Sequence, residues 1–278
     1  MGGQSSLSEF VLYEQRGPIA ILTLDRPSKR NALDTTTVRT LGAFFADAPA
    51  DVAAAVLTSS SEHFSAGLDL SELTATSVFD GVLHSRGWHE PLNQIQLGTI
   101  PVVSVLRGAV IGGGLELALA THIRVAEPTA YYALPEGSRG IFVGGGASVR
   151  LPRLIGVHRM ADMMLTGRVL DASEGLDLGI SQYLVGDGEG FDRAVQLAGR
   201  IAENNPVTNY AVLQALPRIA EMGPQEGLFV ESLMAAISQG SDRAKELLEE
   251  FLAGRAAKVV AQEKRDGGAV MESGMETP

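Results

Sequence analysis

Short runs rich in Val, Ile and Leu alternate along the first half of the chain with stretches whose apolar residues recur at helical spacing. That alternation points to an α/β architecture. The runs Phe10 to Tyr13 and Ile19 to Leu24 flank Arg16-Gly17-Pro18, which is turn chemistry, so they predict an N-terminal β-hairpin. After the Arg26-Pro27 break, Asp34 precedes three threonines and then Val38, Leu41, Phe44 and Phe45, an N-cap followed by a helix running towards Asp47. Ala53 to Thr58 reads as a buried strand, Ser59 to Gly67 as a turn-rich loop, and Phe79 to Leu97 as a helical stretch. Strand Val102 to Val105, a glycine-rich turn, helix Leu115 to Ala120 and strands Ile123 to Ala126 and Ala130 to Ala133 continue the pattern. From Gly156 helical patterns dominate, interrupted by a strand at Ser181 to Val185. The expected helices there are Phe191 to Glu203, Thr208 to Ile219, and the amphipathic Leu228 to Gln239 and Asp242 to Leu252.

Charge and composition narrow the function. The 22 basic and 33 acidic side chains leave a net charge of −11, so a phosphate backbone is repelled and no nucleic-acid partner is expected. An anionic small ligand would need local cations. With 0 cysteines there is no disulfide, thiolate metal site or cysteine nucleophile, which fits a reducing cytoplasm. The N-terminal MGGQSSLSEF lacks the build of a secretory or transit signal. Thr99 to Ala120 is broken by Arg107 and Glu116, so no membrane span is expected. Histidines 63, 84, 89, 122 and 158 form no ligand pair, and no metal is expected. Neither GxGxxG nor GK[ST] is completed, which sets nucleotide-binding loops aside. Ser65, His63 and Asp69 lie close in sequence, but no GxSxG elbow supports a triad.

Three segments carry the remaining chemistry. HFSAGLDL, from His63, puts small residues after a buried strand, where backbone can approach a ligand. In GAVIGGGLELALA, from Gly108, three glycines open a helix apolar on every side, and such an N-terminus offers unpaired N–H groups to a developing oxyanion. Glu116 is the one carboxylate in that helix. It reads equally as a capping box, with Gly113 as N-cap, or as a buried carboxylate of raised pKa. The third segment, LPEGSRGIFVGGG from Leu134, sets Glu136 after a proline and ahead of a glycine-rich turn.

With these segments in this order, and with RPSKRNAL from Arg26, LTGR from Leu165 and DRAKELLEEFLAGR near the C-terminus, the chain resembles the enoyl-CoA hydratase/isomerase (crotonase) superfamily over roughly residues 10 to 257. The resemblance implies a spiral of ββα units: an α/β core over 1–200, a helical trimerisation region over 201–260, and a tail at 261–278 expected to be disordered. It implies a homotrimer or homohexamer acting on acyl- or enoyl-CoA, with no cofactor, since coenzyme A is part of the substrate. It makes the N–H groups of Leu68 and Gly113 an oxyanion hole for the thioester carbonyl. Glu116 becomes the group that deprotonates the water added at C3, and Glu136 the donor to C2. Gly144 N–H would help hold that water. Arg26, Lys29 and Arg30 would supply charge for the coenzyme A phosphates, and Ala32, Ala66, Asp69 and Leu70 would line the nucleotide and pantetheine groove.

The match departs from the family pattern where His122 replaces a usual aspartate, Val143 a frequent proline and Val149 a frequent glutamine. The stretch Thr74 to Gln96, with Phe79 and Trp88, is expected to decide acyl preference. The expected activity is hydration of a trans-2-enoyl-CoA, with an enoyl-CoA isomerase or a non-catalytic acyl-CoA-binding paralogue as the alternatives.

Overall fold

The computed structural model describes residues 4–72 and 77–255. The tail expected at 261–278, and positions 74–76 of the stretch expected to set acyl preference, lie outside the described residues. Up to Ser238 the chain forms one unit, and a second begins at Gln239.

In chain order the first unit contains β1 (Ser5–Ser8), β2 (Val11–Arg16), β3 (Ile19–Leu24), α1 (Thr35–Ala46), β4 (Ala54–Ser59), α2 (Val78–Gln96), β5 (Val102–Leu106), β6 (Ala109–Ile111) and α3 (Gly113–Ala120). It continues with β7 (Ile123–Ala126), β8 (Tyr131–Ala133), α4 (Ala147–Arg150), α5 (Pro152–Ile155), α6 (Val157–Thr166), β9 (Leu170–Asp171), α7 (Ala172–Asp177) and β10 (Tyr183–Leu184). Helices α8 (Gly190–Ala202), α9 (Pro206–Gln214), α10 (Leu216–Ile219) and α11 (Pro224–Gln239) follow, and α12 (Asp242–Leu252) lies in the second unit.

Seven strands form one sheet in the order β1-β2-β3-β4-β5-β7-β10, antiparallel through β3 and parallel beyond it. Side chains alternate between its faces. Ile21, Val56, Val103 and Val125 lie with Ala194, Leu197 and Ala198 of α8 in one apolar cluster. Leu22, Leu57 and Leu106 lie in the other with Val38, Leu41 and Phe45 of α1. Coverage on both faces explains why the central strands read as continuous apolar runs. A second sheet of three strands, β6-β8-β9, carries the site-bearing loops.

The predicted hairpin is present, but its first strand runs on to Arg16, and the reversal sits at Gly17 with φ +57°. The polar β1 was not expected, nor were β6 and β9, which are too short to show periodicity. The helix expected over Thr208 to Ile219 is two helices, because Pro217 in the first turn of α10 has no N–H to continue the ladder of α9. Helices α1 and α2 cross at Gly42, where an added methyl group would collide with the backbone of Pro91. Leu228, Phe229, Leu233 and Ile237 leave an exposed apolar surface on α11. No helix among the described residues is long and apolar enough to cross a membrane.

His122 is structural. Its Nδ1 accepts from Val102 N–H at 2.9 Å, and its Nε2 lies 3.0 Å from the Gln96 carbonyl, which fixes the neutral Nε2–H tautomer. Burial pushes its pKa down to about 4. Between pH 4 and the ordinary value of 6.5 the unfolded chain binds this proton and the native one does not, so stability falls as pH falls through that window. The ring edge borders a cavity of about 1010 Å³, which discounts the loss to on the order of 2 kcal/mol. Urea unfolding at pH 7 and pH 4.5 should show the wild type losing that much more stability than His122→Gln. Equal losses would overturn the assignment.

Candidate active site

Three segments distant in sequence leave the small sheet side by side. Strand β6 pairs in parallel with β8, and Ser65 bridges Val110 in parallel on the other side. Ser65 N–H donates to the Ala109 carbonyl at 2.9 Å and Ile111 N–H to the Ser65 carbonyl at 3.1 Å. Parallel neighbours end at the same edge. Gly67 and Leu68, Gly112 and Gly113, and Glu136 therefore emerge together.

The turn from β6 into α3 requires glycine. Gly112 has φ +51° and ψ −120°, outside the regions open to other residues, and a Cβ there would sit 2.8 Å from Glu136 Oε1. A Cβ on Gly113 would sit 3.1 Å from Leu68 N, and one on Gly67 would sit 3.2 Å from Gly113 N. A side chain at either position would therefore crowd one of the two N–H groups. Among the described residues neither has an acceptor. One of them is the first N–H of a helix, where the dipole favours negative charge.

The open question about Glu116 is answered here. The N-cap of α3 is Gly112, and the glutamate does not fold back on the helix end. Its Oε1 instead accepts from Gly145 N–H at 2.7 Å and Ala147 N–H at 3.0 Å. The residue is 4% exposed. Burial pushes its pKa up, opposed by the N–H groups of Ala147 and Gly145 and by the charges of Arg150 and His89. Glu136 is 7% exposed, and its Oε2 has no hydrogen-bond partner among the described residues. Burial raises its pKa too; its own backbone N–H opposes this, the charge of Glu116 adds to it, and Arg139 opposes it. Two buried carboxylates are thus coupled with unequal support.

Helix α2 closes the site. Trp88, 3% exposed, lays the benzo edge of its indole against both Gly113 and Gly145. Ser85 Oγ donates to the Gly144 carbonyl at 2.7 Å, and Gly144 N–H has no acceptor among the described residues. Ser85, His89, Gly145, Ala147 and Arg150 were not singled out from the sequence. The second glycine triplet was the available signal for Gly145, and the others left none, because their roles arise only when α2 and the loop before α4 meet.

The basic cluster is bound to its own carboxylate. Arg26 Nη1 and Lys29 Nζ each lie 2.8 Å from Asp69 Oδ2, and Arg26 also lies 3.9 Å from Asp34. Lys29, with Ser71 and Arg26 assisting, holds the Asp69 carboxyl well below the usual carboxylate range. Arg26 stacks over the Phe10 ring at 4.4 Å and donates to the Ala32 carbonyl at 3.2 Å. Arg30, exposed, has no ion pair among the described residues, so three cations face two carboxylates. Ala66 N–H donates to the Arg30 carbonyl at 2.9 Å, and Leu70 is exposed. Asn31, buried at φ +54°, binds Arg26 N–H, the Ser61 hydroxyl and the His63 carbonyl, pinning this loop to the segment that leads to Leu68. No group of metal-ligating side chains is found among the described residues.

The sequence matches the family described as enoyl-CoA hydratase/isomerase over residues 14–259. A solved structure from Rhodopseudomonas palustris, provisionally assigned as an enoyl-CoA hydratase, superposes with a TM-score of 0.87 at 52% identity, covering 92% of this chain and 98% of that one. Enoyl-CoA hydratase EchA19 of Mycobacterium tuberculosis is 30% identical over 84% of this chain and 90% of its own. Carnitinyl-CoA dehydratase of Salmonella enteritidis is 35% identical over 80% of this chain and 85% of its own.

Proposed function

The chain belongs to the enoyl-CoA hydratase/isomerase family, and from that premise we propose that it is an enoyl-CoA hydratase, adding water reversibly across the C2=C3 bond of a trans-2-enoyl-CoA. The observation that carries this reading is the pair of buried carboxylates, Glu116 and Glu136, beside two N–H groups with no acceptor among the described residues.

The thioester oxygen accepts from Leu68 and Gly113 N–H, which stabilise the enolate more than the ground state. Ionised Glu116 takes a proton from water while the water oxygen bonds to C3. Glu136, the less supported carboxylate, gives its proton to C2, and the two acids exchange protonation states over the cycle. Gly144 N–H helps orient the water. Both transferred protons pass through residues of the chain, so the reading needs no cofactor beyond the coenzyme A of the substrate. Arg26, Lys29 and Arg30, net of Asp69 and Asp34, supply the positive field for its phosphates. The reading includes a cytoplasmic location and a homotrimer or homohexamer built through the C-terminal helices.

Glu116→Gln and Glu136→Gln should each lower hydration kcat by about 10²- to 10⁴-fold, followed as loss of the conjugated thioester absorbance. Near wild-type turnover by either variant would overturn the mechanism, and turnover of 3-enoyl-CoA alone would favour an isomerase. Trp88 forms the acyl wall, so Trp88→Leu should raise kcat/KM for a longer enoyl-CoA relative to crotonyl-CoA by on the order of tenfold. An unchanged ratio would place the wall elsewhere. Light scattering on the full chain should give three or six copies, and a monomer would refute the assembly.

A further inference from the structure

Arg150, the last residue of α4, is a buried cation whose hydrogen bonds all go to neutral acceptors. It is 9% exposed. Nε donates to Gln96 Oε1 at 2.7 Å, Nη2 to Asn93 Oδ1 at 2.9 Å and Nη1 to the Gly145 carbonyl at 3.0 Å. No carboxylate lies within ion-pair distance of it among the described residues. Buried arginines are seldom left without a counter-charge, because the uncompensated ion is costly. The negative group acting on Arg150 is Glu116, and Arg150 is in turn the foremost charge opposing the burial of Glu116.

A single residue joins the two. Gly145 gives its N–H to Glu116 and its carbonyl to Arg150. Gly146, at φ +106°, makes the approach possible, since a Cβ there would collide with Arg150 Nη1. Two side chains of α2, Asn93 and Gln96, fix the guanidinium from the opposite side.

We propose that Arg150 is a positioning residue that decides which glutamate carries the negative charge, holding it on Glu116 and leaving the shared proton to Glu136. This rests on the hydratase reading for its meaning, though not for its measurement. The other charged or titratable groups facing the pair are His89 of α2 towards Glu116 and Arg139 towards Glu136. Each acts on one member of the pair. Arg150 differs in also holding the loop that supplies both N–H donors to Glu116.

The test is a carboxyl ¹³C NMR titration of the full-length protein labelled at glutamate Cδ, with the two signals assigned by Glu116→Gln and Glu136→Gln. In the wild type Glu116 should titrate below Glu136. In Arg150→Met the Glu116 midpoint should rise by about one pH unit or more, and Arg150→Lys should recover part of that shift. Gln96→Glu keeps the guanidinium and its packing but gives it a competing carboxylate. It should raise the Glu116 midpoint in the same direction, which provides a readout if Arg150→Met does not fold. The acid limb of kcat/KM, which requires ionised Glu116, should move to higher pH in step. A Glu116 midpoint unmoved in the folded variants would overturn the proposal. Absence of hydration with the midpoints moving as described would instead overturn the hydratase reading and leave the charge assignment standing.

Discussion

Parallel pairing in the small sheet is the constraint on which the site depends. Because Ser65, β6 and β8 run in one direction, the segments that follow them leave from one edge, although they begin near residues 66, 112 and 134. An antiparallel arrangement would send one of the three to the opposite side. The glycines at 67, 112 and 113 then let these segments approach more closely than a Cβ would permit. The seven-stranded sheet and its helices hold this edge in place, with α3 contributing its apolar length to the core and its N-terminus to the site.

Burying two carboxylates within reach of each other's charge is unfavourable, and the structure meets that cost unequally. Glu116 receives two backbone donors and faces a fixed cation, whereas one oxygen of Glu136 has no partner among the described residues. Unequal support turns a repulsive pair into an acid and a base at one pH. The loop, the guanidinium and three side chains of α2 are tied to one another by hydrogen bonds.

Much of the framework was legible in the sequence where local chemistry decides the outcome. The cap of α1 is an example: Asp34 Oδ1 accepts from Thr37 N–H at 2.7 Å, as the Asp-Thr-Thr-Thr run suggested. The three-residue β8 was legible, whereas β6, equally short, was not, since it sits inside a stretch whose glycines read as a turn. The break at Pro217 was passed over because the apolar spacing on either side continued. At the site the limit was of another kind. A glutamate three residues beyond Gly113 fits a cap as well as a buried site carboxylate, and only the arrival of Gly145 and Ala147 from 29 and 31 positions away separates the two. The resemblance supplied the pairing of Glu116 with Glu136, while Arg150 and Ser85 depend on contacts that no local pattern encodes. The basic cluster was legible as charge, but its neutralisation by Asp69 was not, since that carboxylate lies 40 residues from Lys29.

The two acceptor-free N–H groups also bear on the lifetime of the protein. A hydrogen bond from such an N–H group to a ligand contributes roughly 0.5 to 1.5 kcal/mol net. Any ligand that sets an oxygen between Leu68 and Gly113 binds only the native state and deepens the native well with concentration. Resistance to unfolding and proteolysis then tracks the supply of that ligand, which makes the abundance of such a chain responsive to the compound it handles without any separate sensor.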